Sequence, residues 1–261
     1  IDDGDATDTA TLTITVTGVN DTPTAQNDVG VILEDETLTV ANGANANVSG
    51  SFDATGEHSG DVLDTSSSSH KDSDLDDSAS LRVSQIKKNN GSNSTVNDNT
   101  TYNGTGSSAG TSVTGTYGTL TIGSDGSYKY VADQAAADNI AANESADDIF
   151  VYTMTDGTEN VTANITITVL GENEATITAQ NDVGVVNEGS TLTVQNSANA
   201  NVSGSFDANG ENSGDVIDTT SSSHKDTDLD TSDTLSITHI KKSGGTNSTV
   251  TAGSSYNSSG R

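Results

Sequence analysis

Several stretches of the chain alternate apolar and polar residues, a pattern that predicts short strands with one buried face. The first is Thr9–Thr17, where Leu12, Ile14 and Val16 are separated by threonines. Comparable strands are predicted at Ala25–Ile32, Thr37–Val40, Leu81–Ile86, Ile149–Thr155 and Val161–Leu170. With the hairpin described next, about seven short strands and no long helical pattern predict an all-β sandwich.

The clearest local signal is a hairpin. Two alternating runs, Thr119–Ile122 and Tyr128–Tyr130, flank the turn sequence Gly123-Ser124-Asp125-Gly126. An Asp-Gly pair supplies the positive φ that tight hairpin turns require. The four side chains predicted to share the inner face of this hairpin are Leu120, Ile122, Tyr128 and Tyr130.

Three polar segments separate the predicted strands. Ala41–Ala79 is too long for a structureless loop inside a domain, so we expect either a metal-ordered loop or short edge strands there. Asn89–Ser112 is rich in Gly, Ser, Thr and Asn, which predicts an exposed excursion. The Ala-rich segment Ala132–Asp148 is compatible with a helical turn.

An internal repeat organises the chain. Ala25–Asp76 and Ala179–Asp230 agree at 41 of 52 positions without a gap. We expect residues 1–22 to be the last strand of a preceding repeat plus a linker, 23–175 a complete β-sandwich repeat, and 176–261 the first part of a following, incomplete repeat. The incomplete part, lacking counterparts of the hairpin and the closing strands, is not expected to fold as an independent domain.

Composition narrows the function further. Of 261 residues, 38 are Asp or Glu and only 9 are Lys or Arg, which gives a formal net charge of −29. Because such an acidic chain would repel nucleic acid and anionic membranes, neither is an expected partner. No apolar run approaches the length needed for membrane insertion. The absence of Cys excludes disulfides, so additional stabilisation must come from metal ions or from sheet packing.

The most distinctive polar motif places a carboxylate at every second position. Asp72, Asp74 and Asp76 form it in the first copy, and the second copy repeats it. The matching residues there are Asp226, Asp228 and Asp230. In an extended segment alternate side chains share a face, so three carboxylates can converge on a hard cation, with Ca²⁺ the first choice. The alternative is a solvated acidic loop that leads into a strand.

Several motifs, in this order along the chain, carry a family resemblance. They are Val16-Thr17-Gly18-Val19-Asn20-Asp21-Thr22-Pro23, Ala25-Gln26-Asn27-Asp28, Glu34-Asp35 with Leu38-Thr39-Val40, Asp72 to Asp76, Gly118-Thr119-Leu120-Thr121-Ile122, Asp125-Gly126-Ser127-Tyr128, and Tyr152-Thr153-Met154-Thr155-Asp156-Gly157. Together they resemble the VCBS and bacterial cadherin-like repeats of giant RTX-type surface adhesins. The resemblance implies Ig-like sandwiches in tandem, Ca²⁺ at and near the linkers, export, and a role as an extender.

The same resemblance implies a metal site at the linkers. The candidate ligands of the first copy are Asn20, Asp21, Asp28 and Glu34. Their counterparts in the second copy are Asn173, Glu174, Asp182 and Glu188. Oxygen ligands from two adjacent domains would lock the hinge between them. Asp156, before the last strand, is either a further ligand or only a turn residue. The second linker departs from the first in lacking the proline.

These observations predict a non-enzymatic, Ca²⁺-rigidified extender repeat of a large secreted or cell-surface bacterial adhesin. Its expected location is extracellular, at the bacterial cell surface. Its expected partners are neighbouring repeats of the same chain, and the sequence does not identify the adhesin's terminal ligand. One alternative is a subunit of a filament or layer in which copies exchange strands. A carbohydrate-binding module is disfavoured, because the chain has 6 Tyr, 3 Phe and no Trp from which to build exposed aromatic platforms.

Overall fold

The computed structural model of the chain describes residues 4–48, 50–64, 69–76, 80–173, 177–202, 204–217, 223–230 and 233–251. Its strands are β1 Asp28–Leu33, β2 Thr37–Val40, β3 Arg82–Lys88, β4 Ser94–Thr95, β5 Thr111–Thr114, β6 Thr119–Ile122, β7 Tyr128–Val131, β8 Ser145–Thr155, β9 Asn160–Leu170, β10 His239–Ile240 and β11 Ser248–Thr249. The one helix assigned among the described residues is a 3₁₀ turn at Gly106–Ser108.

Nine of these strands form two sheets. The first has the order β1-β9-β8-β3-β4, and the second has the order β2-β7-β6-β5. β1 runs parallel to β9, whereas the other neighbours in both sheets are antiparallel. Because β1 and β2 follow each other in the chain but belong to different sheets, the short turn between them joins the two layers.

The two sheets bury one common core, which confirms the predicted all-β sandwich. Strands β8 and β9 alternate buried and half-exposed residues over most of their length, as expected for strands with a single inward face. The largest fully buried side chains are aromatic and come from both sheets: Tyr128, Tyr130, Phe150 and Tyr152. Aliphatic residues from both layers complete the same cluster, among them Leu38, Leu120, Ile122, Ile165, Ile167 and Val169.

The predicted hairpin is confirmed as β6 and β7. Leu120 lies opposite Tyr130, and Ile122 lies opposite Tyr128. All four side chains are fully buried. The turn residue Gly126 has φ +87°, a backbone conformation that residues other than glycine rarely adopt.

The prediction of an exposed excursion at Asn89–Ser112 is wrong in part. The segment contains β4, and Val96 is only 2% exposed within the core. Thr100 is also buried, and its backbone N–H donates to Ser124 Oγ at 3.0 Å. Strand β5 begins inside the same segment, at Thr111. Hydrogen bonds to the β6–β7 turn and pairing with β3 and β6 therefore incorporate this polar stretch into the sandwich.

The long polar loop after β2 contains none of the named strands in its described parts. Single bridges fasten it instead, pairing Thr24 with Ser73 and Asn45 with Gly60. Val62 and Leu63 reach the core, and the Val62 N–H donates to the Gly126 carbonyl oxygen at 3.1 Å. The middle of the loop therefore has a fixed position relative to the hairpin turn.

The strand predicted at Thr9–Thr17 does not form in this structure. Leu12 is 84% exposed, whereas its counterpart Ile165 in β9 is fully buried. The physical reason is pairing, because β9 lies between β1 and β8 while the described residues place no strand beside Thr9–Thr17.

In the second copy, Leu235–Ile240 is the counterpart of the strand predicted at Leu81–Ile86, and only its last two residues form a strand. It is β10, which pairs with β11 so that Ile240 lies opposite Ser248. The same register joins Ile86 to Ser94 in the first copy. Ile240 is 67% exposed, in contrast to the fully buried Ile86.

Candidate metal centre

Three segments that the fold brings together enclose an acidic cleft of about 650 Å³. They are the first part of the loop after β2, the last part of that loop, which carries the alternating acidic motif, and the β6–β7 turn. Among the described residues, six aspartates line this cleft: Asp61, Asp64, Asp72, Asp74, Asp76 and Asp125. Lys71 is the only basic residue among the described residues of the lining. So many carboxylates around one opening repel one another unless cations lie among them.

Asp72 lies at the buried side of this cleft and is 1% exposed. One carboxylate oxygen, Oδ1, accepts a hydrogen bond from the Gln26 N–H at 2.7 Å. The other oxygen, Oδ2, is buried and has no hydrogen-bond partner among the described residues. Burial raises the pKa of Asp72 to about 7, and the negative charges of Asp61 and Asp64 add to the shift. A buried, incompletely satisfied carboxylate is costly, and a bound cation removes that cost.

Asp28 belongs to the same group of charges but has more hydrogen-bond donors. Ser59 Oγ donates to Asp28 Oδ1 at 3.1 Å, and the Tyr152 hydroxyl lies 3.0 Å from Oδ2. Burial raises the pKa of Asp28 to about 8 despite these hydrogen bonds, and the charge of Asp72 contributes in the same direction. Asp28, at the start of β1, thus interacts electrostatically with Asp72 of the cleft but does not line the cleft itself.

Asp61 and Asp64, which sequence reasoning missed, are both buried at the inner side of the cleft. Asp61 Oδ2 accepts a hydrogen bond from the Gly43 N–H at 2.9 Å. Burial raises the pKa of Asp61 to about 6, and the charges of Asp64 and Asp125 add to the shift. The repeat itself contained a usable signal, because Asp61-Val62-Leu63-Asp64 returns as Asp215-Val216-Ile217-Asp218.

The linker that precedes β1 meets the outer rim of the cleft. The Asp21 N–H donates to Asp76 Oδ2 at 2.8 Å, and the Asn20 side-chain amide donates to Asp156 Oδ2 at 3.0 Å. The Asp76 N–H in turn donates to Asp74 Oδ1 at 2.7 Å. The structure thus brings together five of the predicted ligands: Asn20, Asp21, Asp74, Asp76 and Asp156.

Asp156 also has a clear role in the β8–β9 turn. Its Oδ1 accepts backbone hydrogen bonds from Thr158 and Glu159, each at 2.7 Å. These bonds hold the pKa of Asp156 below its ordinary value. Of the two alternatives for Asp156, the turn role is therefore observed, and its Oδ2 faces Asn20.

Glu34 is not brought together with Asn20 and Asp21. It follows β1, whereas Asp28 begins that strand, so roughly 20 Å of extended chain separates the two carboxylates. Glu34 is fully buried and accepts a hydrogen bond from the Glu172 N–H. It therefore contacts the linker that follows the repeat rather than the one that precedes it. Asn173 is exposed next to that contact, and Glu174 lies outside the described residues.

The second copy repeats the local hydrogen bonds of the first. The Gln180 N–H donates to Asp226 Oδ1 at 2.7 Å, and Ser213 Oγ donates to Asp182 Oδ1 at 3.0 Å. The Asp230 N–H donates to Asp228 Oδ1 at 3.0 Å. Each of these bonds has its counterpart 154 residues earlier, at Asp72, Asp28 and Asp74.

The second copy also contains the most compact acidic group among the described residues. Asp228, Asp230 and Asp233 each offer a carboxylate oxygen, and these oxygens lie within 4.8 Å of one another. Asp233, which aligns with Ala79, was not among the predicted ligands. Such a group could hold a metal ion. Glu188 is exposed here, unlike its buried counterpart Glu34.

Comparison with known proteins supplies no assignment. No protein-family model matches the chain, and no curated protein matches its sequence. Among the described residues, no helix combines the length and the apolar character needed to cross a membrane. The acidic cleft and its recurrence in the second copy therefore carry the functional argument.

Proposed function

We propose that this protein is a non-enzymatic, Ca²⁺-rigidified extender repeat of a large secreted or cell-surface bacterial adhesin. The observation that carries the proposal is Asp72, whose buried Oδ2 has no hydrogen-bond partner among the described residues although five further aspartates line the same cleft. A fold that buries such a carboxylate gains stability when a cation completes its surroundings.

The donor set favours Ca²⁺ over zinc and copper. Side chains at the cleft and linker offer oxygen ligands, from carboxylates and from the amide of Asn20. The chain has no Cys, and the Nδ1 atom of His70, the histidine beside the acidic motif, lies 2.5 Å from the Asn27 carbonyl oxygen. Zinc and copper prefer nitrogen and sulfur, whereas Ca²⁺ takes six to eight oxygens in flexible geometry.

Because the cleft lies beside the linker, a bound cation would affect how rigidly the linker is held. Asn20 and Asp21 belong to the linker before the sandwich, and they bond to Asp156 and Asp76 of the sandwich itself. An ion among these groups would fix the angle between this sandwich and whatever precedes it. Glu34 and the Glu172 N–H make the corresponding connection at the other end. A series of such repeats would hold a terminal binding module away from the cell.

Small-angle scattering on two complete repeats in tandem tests this proposal. Short polar connectors bend freely unless ligands from both sides fix them. We expect a longer maximum dimension in millimolar Ca²⁺ than in chelator, at matched ionic strength. An unchanged scattering profile, with both samples monomeric, would remove the mechanical role from the proposal.

Exposed apolar residues support one second candidate, a filament subunit that exchanges strands between copies. Leu12, Ile14 and Val16 are 84%, 75% and 88% exposed, although the matching residues of β9 are fully buried. An alternating strand of this kind can add to the sheet edge of another chain. Ordered fibres formed by the isolated protein would favour this candidate, and a stable monomer at high concentration would oppose it.

A further inference from the structure

We propose that the acidic cleft holds two Ca²⁺ ions rather than one. The inner site is formed by Asp61 and Asp72 and closed by Asp125, and the outer site is formed by Asp74, Asp76 and the linker. This inference rests on the proposed function, since both sites share one cleft. It goes further by giving the β6–β7 turn and the loop after β2 a direct part in ion binding.

The inner carboxylates come from two neighbouring pieces of backbone. Asp61 and Asp72 are 3% and 1% exposed, respectively. The Asp72 N–H donates to the Asp64 carbonyl oxygen at 2.8 Å, and the Asp64 N–H donates to the Asp61 carbonyl oxygen at 3.2 Å. A turn from Asp61 to Asp64, with Asp72 hydrogen-bonded to its last residue, therefore places the two aspartates in adjacent stretches of backbone. The buried Oδ2 of Asp72, which has no hydrogen-bond partner among the described residues, is the available ligand atom on this side.

Asp125 provides the third carboxylate from the opposite wall. Ser127 holds Asp125 Oδ1 through its hydroxyl at 2.6 Å and its N–H at 3.1 Å. The Asn42 amide donates to Asp125 Oδ2 at 3.3 Å, which joins the hairpin turn to the loop after β2. The same loop carries Asp61, and the charge of Asp125 is close enough to raise the pKa of Asp61. Asp125 is thus fixed at the edge of the inner group rather than free in solvent.

Two tyrosines flank the inner group on its core side. Tyr128 and Tyr152 are fully buried, and the negative charges of Asp28 and Asp61 act on both hydroxyls. The Tyr128 hydroxyl has no hydrogen-bond partner among the described residues. The chain contains no Trp, so tyrosine is its main ultraviolet chromophore. Buried tyrosines at this position can transfer excitation energy to a lanthanide in the inner site.

The separation of the carboxylates indicates how the inner site would respond to an ion. Within the described part of the chain, only the group of Asp228, Asp230 and Asp233 places three ligand atoms within 4.8 Å of one another. Asp61, Asp72 and Asp125 must therefore draw closer to share one ion. Ca²⁺ tolerates variable geometry and ligand number, whereas Mg²⁺ demands a near-ideal octahedron, so the inner site should select Ca²⁺.

Counting bound ions on the full chain tests the two-site arrangement. Ca²⁺ bound at saturation is measured by equilibrium dialysis, and Tb³⁺ emission is excited through tyrosine. The inner variants are Asp61→Asn and Asp125→Asn, and the outer variant combines Asp74→Asn with Asp76→Asn. Asp138→Asn makes the same charge change away from the cleft and serves as the control. Circular dichroism in high Na⁺ verifies that each variant retains its strands.

We expect each inner variant to lose one bound Ca²⁺ per chain and most of the tyrosine-sensitised Tb³⁺ emission. The outer variant should lose a bound ion while it retains that emission. If both inner variants match Asp138→Asn in stoichiometry and emission while the outer variant loses its ion, the inner site is refuted and the proposed function stands. If the unmodified chain binds no Ca²⁺, the proposed function and the inner site fail together.

Discussion

Asp148 and Asp72 are both buried aspartates, but hydrogen-bond donors surround them to very different degrees. Asp148 accepts backbone hydrogen bonds from Thr116, Tyr117 and Gly118 and a further one from the Tyr130 hydroxyl. Among the described residues, Asp72 has a single donor, the Gln26 N–H. At the scale of single residues, the first carboxylate is complete within the fold, whereas the second leaves an oxygen available for a cation.

Replacing Asp148 by Asn should therefore destabilise the sandwich whether or not Ca²⁺ is present. The amide nitrogen cannot accept, so in either orientation of the side chain some donors lose their acceptor. These are either the Thr116 N–H at Oδ1 or the three groups that converge on Oδ2. We expect a loss of about 2–4 kcal/mol in the free energy of unfolding, measured by urea denaturation. Asp147→Asn, at the exposed neighbouring residue, should cost less than about 0.5 kcal/mol. Equal effects of the two substitutions would contradict this role for Asp148.

The raised pKa values predict a pH dependence in the absence of divalent ions. Asp28, Asp72 and Asp61 have folded pKa values of about 8, 7 and 6, above the ordinary value of 3.8. Between pH 3.8 and about 8 the folded state binds more protons at these aspartates than the unfolded state does. The stability that these three groups contribute is therefore fully present below pH 3.8 and is lost as the pH rises through their folded pKa values. Melting in chelator should occur at a lower temperature at pH 8 than at pH 5.

Variants and added Ca²⁺ serve as controls for that pH experiment. Asp28→Asn should flatten the profile, because it removes the group whose pKa is raised the most, whereas Asp138→Asn should leave the profile as it is. Saturating Ca²⁺ should also reduce the difference between pH 5 and pH 8, since the cation replaces the protons. A melting temperature in chelator that is equal at both pH values, or higher at pH 8, would refute the prediction.

The sequence identified the acidic motif but not its local geometry. Alternate spacing suggested that Asp72, Asp74 and Asp76 share one face. Instead, the Asp76 N–H bonds to Asp74 Oδ1, a local turn that interrupts the extended backbone, and Asp72 lies on the buried side. Side chains of Asp and Asn compete with regular structure in this way, so spacing alone could not predict the result.

At the scale of secondary-structure elements, strong alternation of apolar and polar residues located the hairpin strands correctly, but it did not reveal the polar edge strands. The observed bounds of β6 match the prediction, and β7 extends only one residue further. β4 and β5 were missed because Ser94–Thr95 and Thr111–Thr114 offer little apolar alternation, and pairing with β3 and β6 determines them instead. Thr9–Thr17 shows the opposite error, because its residues alternate clearly but form no strand where no neighbouring strand pairs with them.

The hairpin turn provides a test at this scale. Gly126 has φ +87°, and a Cβ atom there would approach the side chain of Leu63 to 2.9 Å. Gly157 has φ +100°, but a Cβ atom there would meet nothing within 4 Å. Gly157→Ala should therefore cost only backbone strain, about 1–2 kcal/mol. Gly126→Ala should add about 1–3 kcal/mol for displacing Leu63.

Gly126→Ala should also weaken Ca²⁺ binding, because Leu63 adjoins Asp64 and the turn adjoins Asp125. Urea denaturation in chelator and Ca²⁺ titration of both glycine variants check the two effects. Equal destabilisation by Gly126→Ala and Gly157→Ala, together with equal Ca²⁺ affinity, would show that the turn does not support the cleft.

At the scale of the whole molecule, the charge distribution is the dominant feature. The chain carries a formal charge of −29, and six of its carboxylates line one cleft. Composition and repeat were sufficient to predict an all-β fold and an acidic centre. They could not show that Glu34 faces the following linker or that Asp125 faces the loop after β2, because both placements depend on contacts between segments distant in the sequence.

Thermal unfolding of the full chain with and without Ca²⁺ tests the central claim most directly. A ligand at 100 times its dissociation constant contributes about 2.7 kcal/mol per site, so several sites should raise the melting temperature by roughly 5 °C or more. Combined substitution of Asp72, Asp74 and Asp76 by Asn should remove much of this increase, and Asp138→Asn should preserve it. Equal melting temperatures in millimolar Ca²⁺ and in chelator, with Na⁺ matched for ionic strength, would contradict the account.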